Sequence, residues 1–250
     1  MIRQRLCILA AAALLCSPLP ALAVPDPAQQ AARLWRERHL QDNARRAVEA
    51  YRTLMRGLPR DHAVRVAFIR AAQYYGEFFL TGEQPRLALY TEAIAAGEQA
   101  VALRPRDAAA HFWLGTAYGL YADVKGGVRA ISYVNKFKAA IEQAVRLDPL
   151  YENGAPLNTL GMMYFKAPGW PFSFGDDKKA LELLRRSHRL SRPNMVVNRL
   201  LAEVVLEEVG KAEALRLVEA ALAMPDRPGY VREDRKIRSE LVALRKKILN

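Results

Sequence analysis

The residues that could do proton-transfer or metal chemistry are sparse and scattered. Four histidines, His39, His62, His111 and His188, fall at intervals that match no metal-ligand spacing. His111 stands where a repeat helix needs a bulky residue, so packing is its expected role. The only thiols, Cys7 and Cys16, lie in the first 16 residues. Asp176-Asp177 ahead of Lys178-Lys179 has the pattern of a helix start, with acids at the positive end of the helix dipole and Asp176 as the capping residue. No glycine-rich phosphate loop and no nucleophile elbow occurs. These residues predict no catalytic group, no metal ion and no cofactor.

The aromatic residues are more concentrated. Of 21 Phe, Trp and Tyr, 12 lie between Phe112 and Phe174. Helical spacing assigns Tyr118, Phe137 and Tyr164 to a core. Trp170, Phe172 and Phe174 alternate in a stretch punctuated by Pro and Gly, where no helical period explains them. Such rings either line a pocket or groove, or pack their loop onto the rest of the protein. With Trp113, Tyr121, Lys125 and Tyr133 they form the candidate binding surface. Its rings would bury apolar area, and Lys125 would hold an acidic group at the rim.

The elements that must position these side chains are helices. The chain of 250 residues is 51% hydrophobic and 26% charged, rich in Ala, Leu, Arg and Glu, and poor in β-branched runs. Prolines at 59, 105, 149, 193 and 225 are spaced by 46, 44, 44 and 32 residues. Each closes a segment with small or apolar residues at i, i+4 and i+7: Ala47, Tyr51, Leu54; Ala93, Gly97, Ala100; Phe137, Ile141, Ala144; Ala180, Leu184, Ser187; Ala214, Val218, Ala221. These positions share one helix face, and proline then stops the helix. Leu114-Gly115 with Tyr118 and Leu160-Gly161 with Tyr164 repeat 46 residues apart. Together the two halves make the tetratricopeptide (TPR) signature.

The expected fold is therefore all-α, a TPR-like solenoid of about five helix hairpins. The hairpins are placed over residues 28–60, 62–105, 108–149, 154–193 and 196–225, with an amphipathic, highly charged capping helix over 231–249. The spacing exceeds the ordinary 34-residue repeat. The extra residues are expected within the hairpins: a turn at Thr81–Pro85, Ala122–Asn135 with Lys125-Gly126-Gly127 and a further short helix, and an ordered loop from Lys166 to Asp177. Insertions at equivalent turns gather on one side of a solenoid.

The beginning of the chain has the features of an address. Arg3 and Arg5, the apolar run from Leu6 to Cys16 and the Ala21-Leu22-Ala23 ending describe a secretory signal over residues 1–23. The apolar run is too short to span a bilayer, and Leu15 before Cys16 does not fit a lipidation site. Cleavage after Ala23 would leave 227 residues, with residues 24–250 forming a single domain without thiols, and would lower the net charge of +12 by Arg3 and Arg5 to +10. That charge favours acidic partners, anionic lipid surfaces or the cell envelope, and export predicts a periplasmic protein and argues against nucleic acid.

From His111 to Met224 the chain resembles a known group. The marks are His-Phe-Trp-Leu-Gly with Tyr118, Gly126-Gly127, Leu-Asp-Pro at 147–149, Leu160-Gly161, and Ala-Pro-Gly-Trp leading to Gly-Asp-Asp-Lys-Lys-Ala. It resembles exported bacterial TPR proteins related to the T component (TatT) of TRAP transporters. It is similar also to the repeat domain of eukaryotic regulator of microtubule dynamics proteins. The resemblance implies a compact α-solenoid with an internal hydrophobic channel, association with a periplasmic substrate-binding subunit, and lipid binding in some relatives. Phe172-Ser173-Phe174 and the missing lipid anchor depart from the pattern. The expected function is a non-enzymatic envelope scaffold for a protein partner. The alternative is a carrier of a lipid or other hydrophobic ligand.

Overall fold

Several of the helix starts lie where a short polar side chain caps the helix. In the computed structural model, which describes residues 26–250, Asp61 Oδ1 accepts the amide of Val64 at 3.0 Å, and Asp107 Oδ1 accepts that of Ala110 at 3.1 Å. Asn194 Oδ1 does the same for Val197 at 2.9 Å, and Asp176 Oδ1 for Lys179 at 2.9 Å. Each bond satisfies one of the amides that a helix start leaves without a partner. Before Asp61, Asp107 and Asn194 the preceding residue is a proline or lies next to one, so one short turn both ends a helix and starts the next. The signal expected over residues 1–23 lies outside the described residues.

Eleven helices follow among the described residues: α1 (Pro27–Arg36), α2 (Gln41–Gly57), α3 (His62–Phe78), α4 (Glu83–Leu103), α5 (Ala108–Lys125), α6 (Gly127–Leu147), α7 (Tyr151–Lys166), α8 (Asp177–Leu190), α9 (Met195–Glu208), α10 (Lys211–Leu222) and α11 (Val231–Leu249). They pair in order as five antiparallel hairpins, and α11 covers the last of them. The TPR-like α-solenoid with a capping helix is thus the observed fold.

The periodic residues are what hold the hairpins together. Ala93, Ala100, Ile141, Ala144, Ala180, Leu184, Ala214, Val218 and Ala221 are all fully buried. Small residues allow close approach: a Cβ on Gly115 would stand 2.8 Å from Ile141 Cδ1, and one on Gly161 would stand 2.8 Å from Leu184 Cγ. An apolar cluster built on Ala47, Phe68, Ile69 and Ala93 fills the first half. Another, on Leu184, Val204, Val218, Leu241 and Ile248, fills the last part. Phe112, Ile141, Leu157 and Leu160 join them in the middle.

One local expectation needs correction. No separate short helix lies within Ala122–Asn135. There α5 runs to Lys125, Gly126 and Gly127 turn at φ 62° and 59°, and α6 continues unbroken to Leu147. The extra residues lengthen the two helices, because a turn in this left-handed region needs only the two glycines. At the start of α7, Glu152, Asn153 and Gly154 all have positive φ and form a turn ahead of the helix proper. Asn153 fixes that turn: its Nδ2 donates to Arg192 O at 3.0 Å, and its Oδ1 accepts the Arg192 amide at 2.8 Å.

The solenoid also closes on itself. Arg38, in the turn after α1, donates to Glu233 of α11 at 2.8 Å. Arg232 Nε donates to His39 O at 2.8 Å, and Lys236 Nζ to Glu77 at 2.6 Å. The Arg38 guanidinium stacks among Trp35, Tyr74 and Tyr230, at 4.4, 5.1 and 5.0 Å from the ring centroids. Burial beside this cluster pushes the Tyr74 hydroxyl up to about 12. The seam is thus made of cation–π and charged contacts, while α11 is fastened on its other side by Leu241 and Ile248.

Candidate interaction site

The structure divides the seven candidate residues into three groups. Trp113 faces the interior: its Nε1 donates to Tyr151 Oη at 2.8 Å, its ring packs edge-on to Phe112, and Arg70 lies 5.1 Å from the ring centroid. Tyr121 and Tyr133 meet across the α5–α6 hairpin at 4.3 Å, with Lys136 5.6 Å from the Tyr133 ring. Desolvation, with the neighbouring Tyr121 hydroxyl, raises the Tyr133 hydroxyl. Lys125 ends α5 at the same tip and is half-buried.

Trp170, Phe172 and Phe174 form the third group, in the loop between α7 and α8. This loop is tied down by its own backbone. The Gly175 amide donates to Pro168 O at 2.8 Å, the Phe172 amide to Gly169 O at 3.0 Å, and the Asp176 amide to Tyr164 O at 3.0 Å. A Cβ on Gly175 would stand 2.1 Å from Ala167 O, so only glycine fits. Phe174 turns inward, edge-on to Tyr164 at 5.8 Å with Lys138 Nζ 5.4 Å from its ring. Trp170 and Phe172 point outward and are 89% and 88% exposed.

Between this loop and the α5–α6 tip runs a groove of about 600 Å³, walled by Ala122, Ile131, Val134, Phe172 and Phe174 and floored at Gly119. Val128 and Ile131 on the facing tip are also exposed, at 84% and 57%. Trp170, Phe172 and Val128 are the most exposed large apolar residues of the described chain. An ordered loop that holds a Trp and a Phe in water beside an apolar groove has the make-up of an interface anchor. Of the seven candidates only Phe172 and Phe174 line this groove; Trp113, Tyr121, Lys125, Tyr133 and Trp170 do not.

A second space lies on the inner side of the ring. It has a volume of about 780 Å³, with walls of Met162, Met163, Val196, Leu200 and Tyr230 and a polar edge at Arg199 and Arg227. Asn158, only 5% exposed, lines it with Oδ1 unpaired. Phe137, Met163 and Lys166 are shared with the outer groove. This cavity was not among the candidates, although one signal was present. Asn158 and Asn198 are polar interruptions at matching positions of two apolar helices. Among the described residues no cluster of His, Cys, Asp and Glu is arranged to hold a metal ion. None of the helices is long and apolar enough to cross a membrane.

Stacked antiparallel hairpins with this pattern of small residues, glycines and prolines define a TPR-repeat protein. The solved structure of a thermophilic TPR protein of Thermus thermophilus superposes with a TM-score of 0.63 at 20% identity, covering 86% of this chain and 97% of that one. MamA is similar at 16% identity, with 82% and 95% covered and a TM-score of 0.48. YrrB, described as a TPR protein with an unusual peptide-binding site, is similar at 20% identity, with 81% and 93% covered and a TM-score of 0.46. The model of the regulator of microtubule dynamics protein 1-3 family matches residues 29–162, more than half of the sequence. The chain belongs to that family. No curated protein matches it significantly.

Proposed function

We propose that the protein is a non-enzymatic scaffold of the cell envelope that docks a protein partner at the hairpin tips. The observation that carries this reading is the pair Trp170 and Phe172, held outward by a hydrogen-bonded loop beside an apolar groove. Rigid aromatic anchors lose little conformational freedom on binding and bury large apolar area. The features of residues 1–23 support a periplasmic location. The resemblance to TRAP T components suggests a transporter's substrate-binding subunit as the class of partner. The test is photo-crosslinking in cells, with a benzophenone amino acid at position 170 or 172 and a control at Val242, which is 58% exposed on α11. One common protein adduct from 170 and 172, absent from 242, supports the docking face. The same adduct from 242, or none from the tip, refutes it.

A second reading, a carrier of a lipid or another hydrophobic ligand, is favoured by the inner cavity and its unpaired Asn158 amide. Native mass spectrometry of protein purified without detergent separates the two. A stoichiometric added mass that vanishes on denaturation supports the carrier, and a clean mass of the chain supports the scaffold alone.

A further inference from the structure

The rim opposite the aromatic tips carries its own repeating pattern. Each of the four turns that join one hairpin to the next holds an exposed leucine: Leu58, Leu103, Leu150 and Leu190 are 44, 36, 41 and 52% exposed. A leucine ending a helix is commonplace, but here exposed arginines accompany it at three of the four turns. They are Arg60 at the first, Arg104 and Arg106 at the second, and Arg189 and Arg192 at the fourth. None of these five guanidiniums has an ion-pair partner among the described residues, whereas about half of the arginines elsewhere on the helices do. The nearest acids, Asp61 and Asp107, are engaged in capping α3 and α5.

These turns are neighbours in space. His62 Nε2 lies 3.6 Å from Asp107 Oδ2, which joins the first turn to the second. Phe112 packs 5.7 Å from Tyr151, joining the second hairpin turn to the third. The paired hydrogen bonds of Asn153 with Arg192 join the third to the fourth. The result is one edge with an exposed Leu at all four turns and unpaired arginines at three of them, the third turn carrying the exposed acids Asp148 and Glu152 instead.

We propose that this edge docks on the surface of an anionic lipid bilayer. Guanidiniums at this rim would take lipid phosphates, and the leucines would enter the boundary between headgroups and acyl chains. Peripheral binding of this kind needs both terms, since each basic residue adds only a modest attraction and each short apolar contact is weak. The leucines decide against a nucleic acid, which would use the charges and leave the apolar side chains in water. Docking by this edge leaves the Trp170–Phe172 rim pointing away from the membrane.

The test is co-sedimentation of the purified chain with vesicles of phosphatidylcholine containing one-third phosphatidylglycerol. Binding is expected at low salt, and little or none to pure phosphatidylcholine. The variant Arg60→Glu/Arg106→Glu/Arg192→Glu is expected to need at least tenfold more lipid for half-binding. Leu58→Ser/Leu150→Ser/Leu190→Ser is expected to weaken binding as well, and Trp170→Ala/Phe172→Ala to leave it unchanged. Circular dichroism confirms that each variant is folded. Wild-type binding by the arginine variant overturns the proposal, as does loss of binding in the Trp170/Phe172 variant. Full binding by the leucine variant, with polyglutamate competing as well as vesicles, would make the rim a site for an acidic protein instead.

Discussion

Arg38 and Glu233 stand 195 residues apart in the chain and 2.8 Å apart in space, and their contact joins the first hairpin to the capping helix. The Arg38 side chain is only 7% exposed and lies among three aromatic rings, so its charge depends on Glu233 and on those rings. Replacing Arg38 with alanine strands a partly buried carboxylate and removes the stacking. The expected cost is about 2–4 kcal/mol, read from urea denaturation. Because the rest of the seam is also polar, the variant is expected to show a larger radius of gyration by X-ray scattering. The Lys236–Glu77 pair, about half exposed, is expected to contribute at most about 1 kcal/mol.

Close helix approach makes a second prediction. Gly161→Ala would place a Cβ 2.8 Å from Leu184 Cγ, in a wall that also includes the Ala180 carbonyl. Overpacking of this kind costs about 1–3 kcal/mol. Gly57, at the end of α2, has nothing within 4 Å of its Cβ position. Gly57→Ala is expected to be neutral or to stabilise by up to about 1 kcal/mol. Thermal melts of the two variants side by side check the contrast.

His62 provides a pH dependence. Its side chain is 6% exposed, its Nε2 has no hydrogen bond, and desolvation lowers its pKa, opposed only in part by Asp107. A base whose pKa is lowered on folding binds fewer protons in the native state than in the unfolded one. The protein is therefore expected to keep full stability from this site above about pH 6.5 and to lose it progressively as the pH falls towards the lowered native value. Replacing His62 with Gln should flatten that part of the stability–pH profile, measured by denaturant midpoints between pH 5 and 8.

Phe172 and Phe174 are two residues apart but differ in what their loss would do. Phe174 packs on Tyr164 and belongs to the central apolar cluster, so Phe174→Ala is expected to cost about 1–3 kcal/mol. Phe172, at 88% exposure, has little to lose, and Phe172→Ala should leave the melting temperature unchanged. Calorimetry of the two single variants checks this.

The pattern Ala93–Gly97–Ala100 and its four counterparts identified the helix faces because burial imposes a 3.6-residue period that composition displays directly. Proline and aspartate at the turns marked where helices begin. The candidate site was legible only in part. Alternating aromatics showed that the loop from Lys166 to Asp177 was unusual, but which ring turns inward depends on hydrogen bonds such as Gly175 to Pro168 that have no side-chain signature. Trp113 and Trp170 look alike in sequence, yet one bonds to Tyr151 inside and the other stands in water. The inner cavity draws on residues between Phe137 and Tyr230, and the Arg38–Glu233 closure joins opposite ends of the chain, so neither leaves a local periodicity.

The central claim is that Trp170 and Phe172 anchor a protein partner. Its most direct measurement is calorimetric titration of the partner identified by crosslinking into wild-type protein and into Trp170→Ala/Phe172→Ala, with the melting temperature of each recorded. Two interface anchors of this kind are worth at least about 2 kcal/mol each, so a loss of affinity of several hundredfold is expected with melting unchanged. Equal affinity in the two proteins would contradict the account.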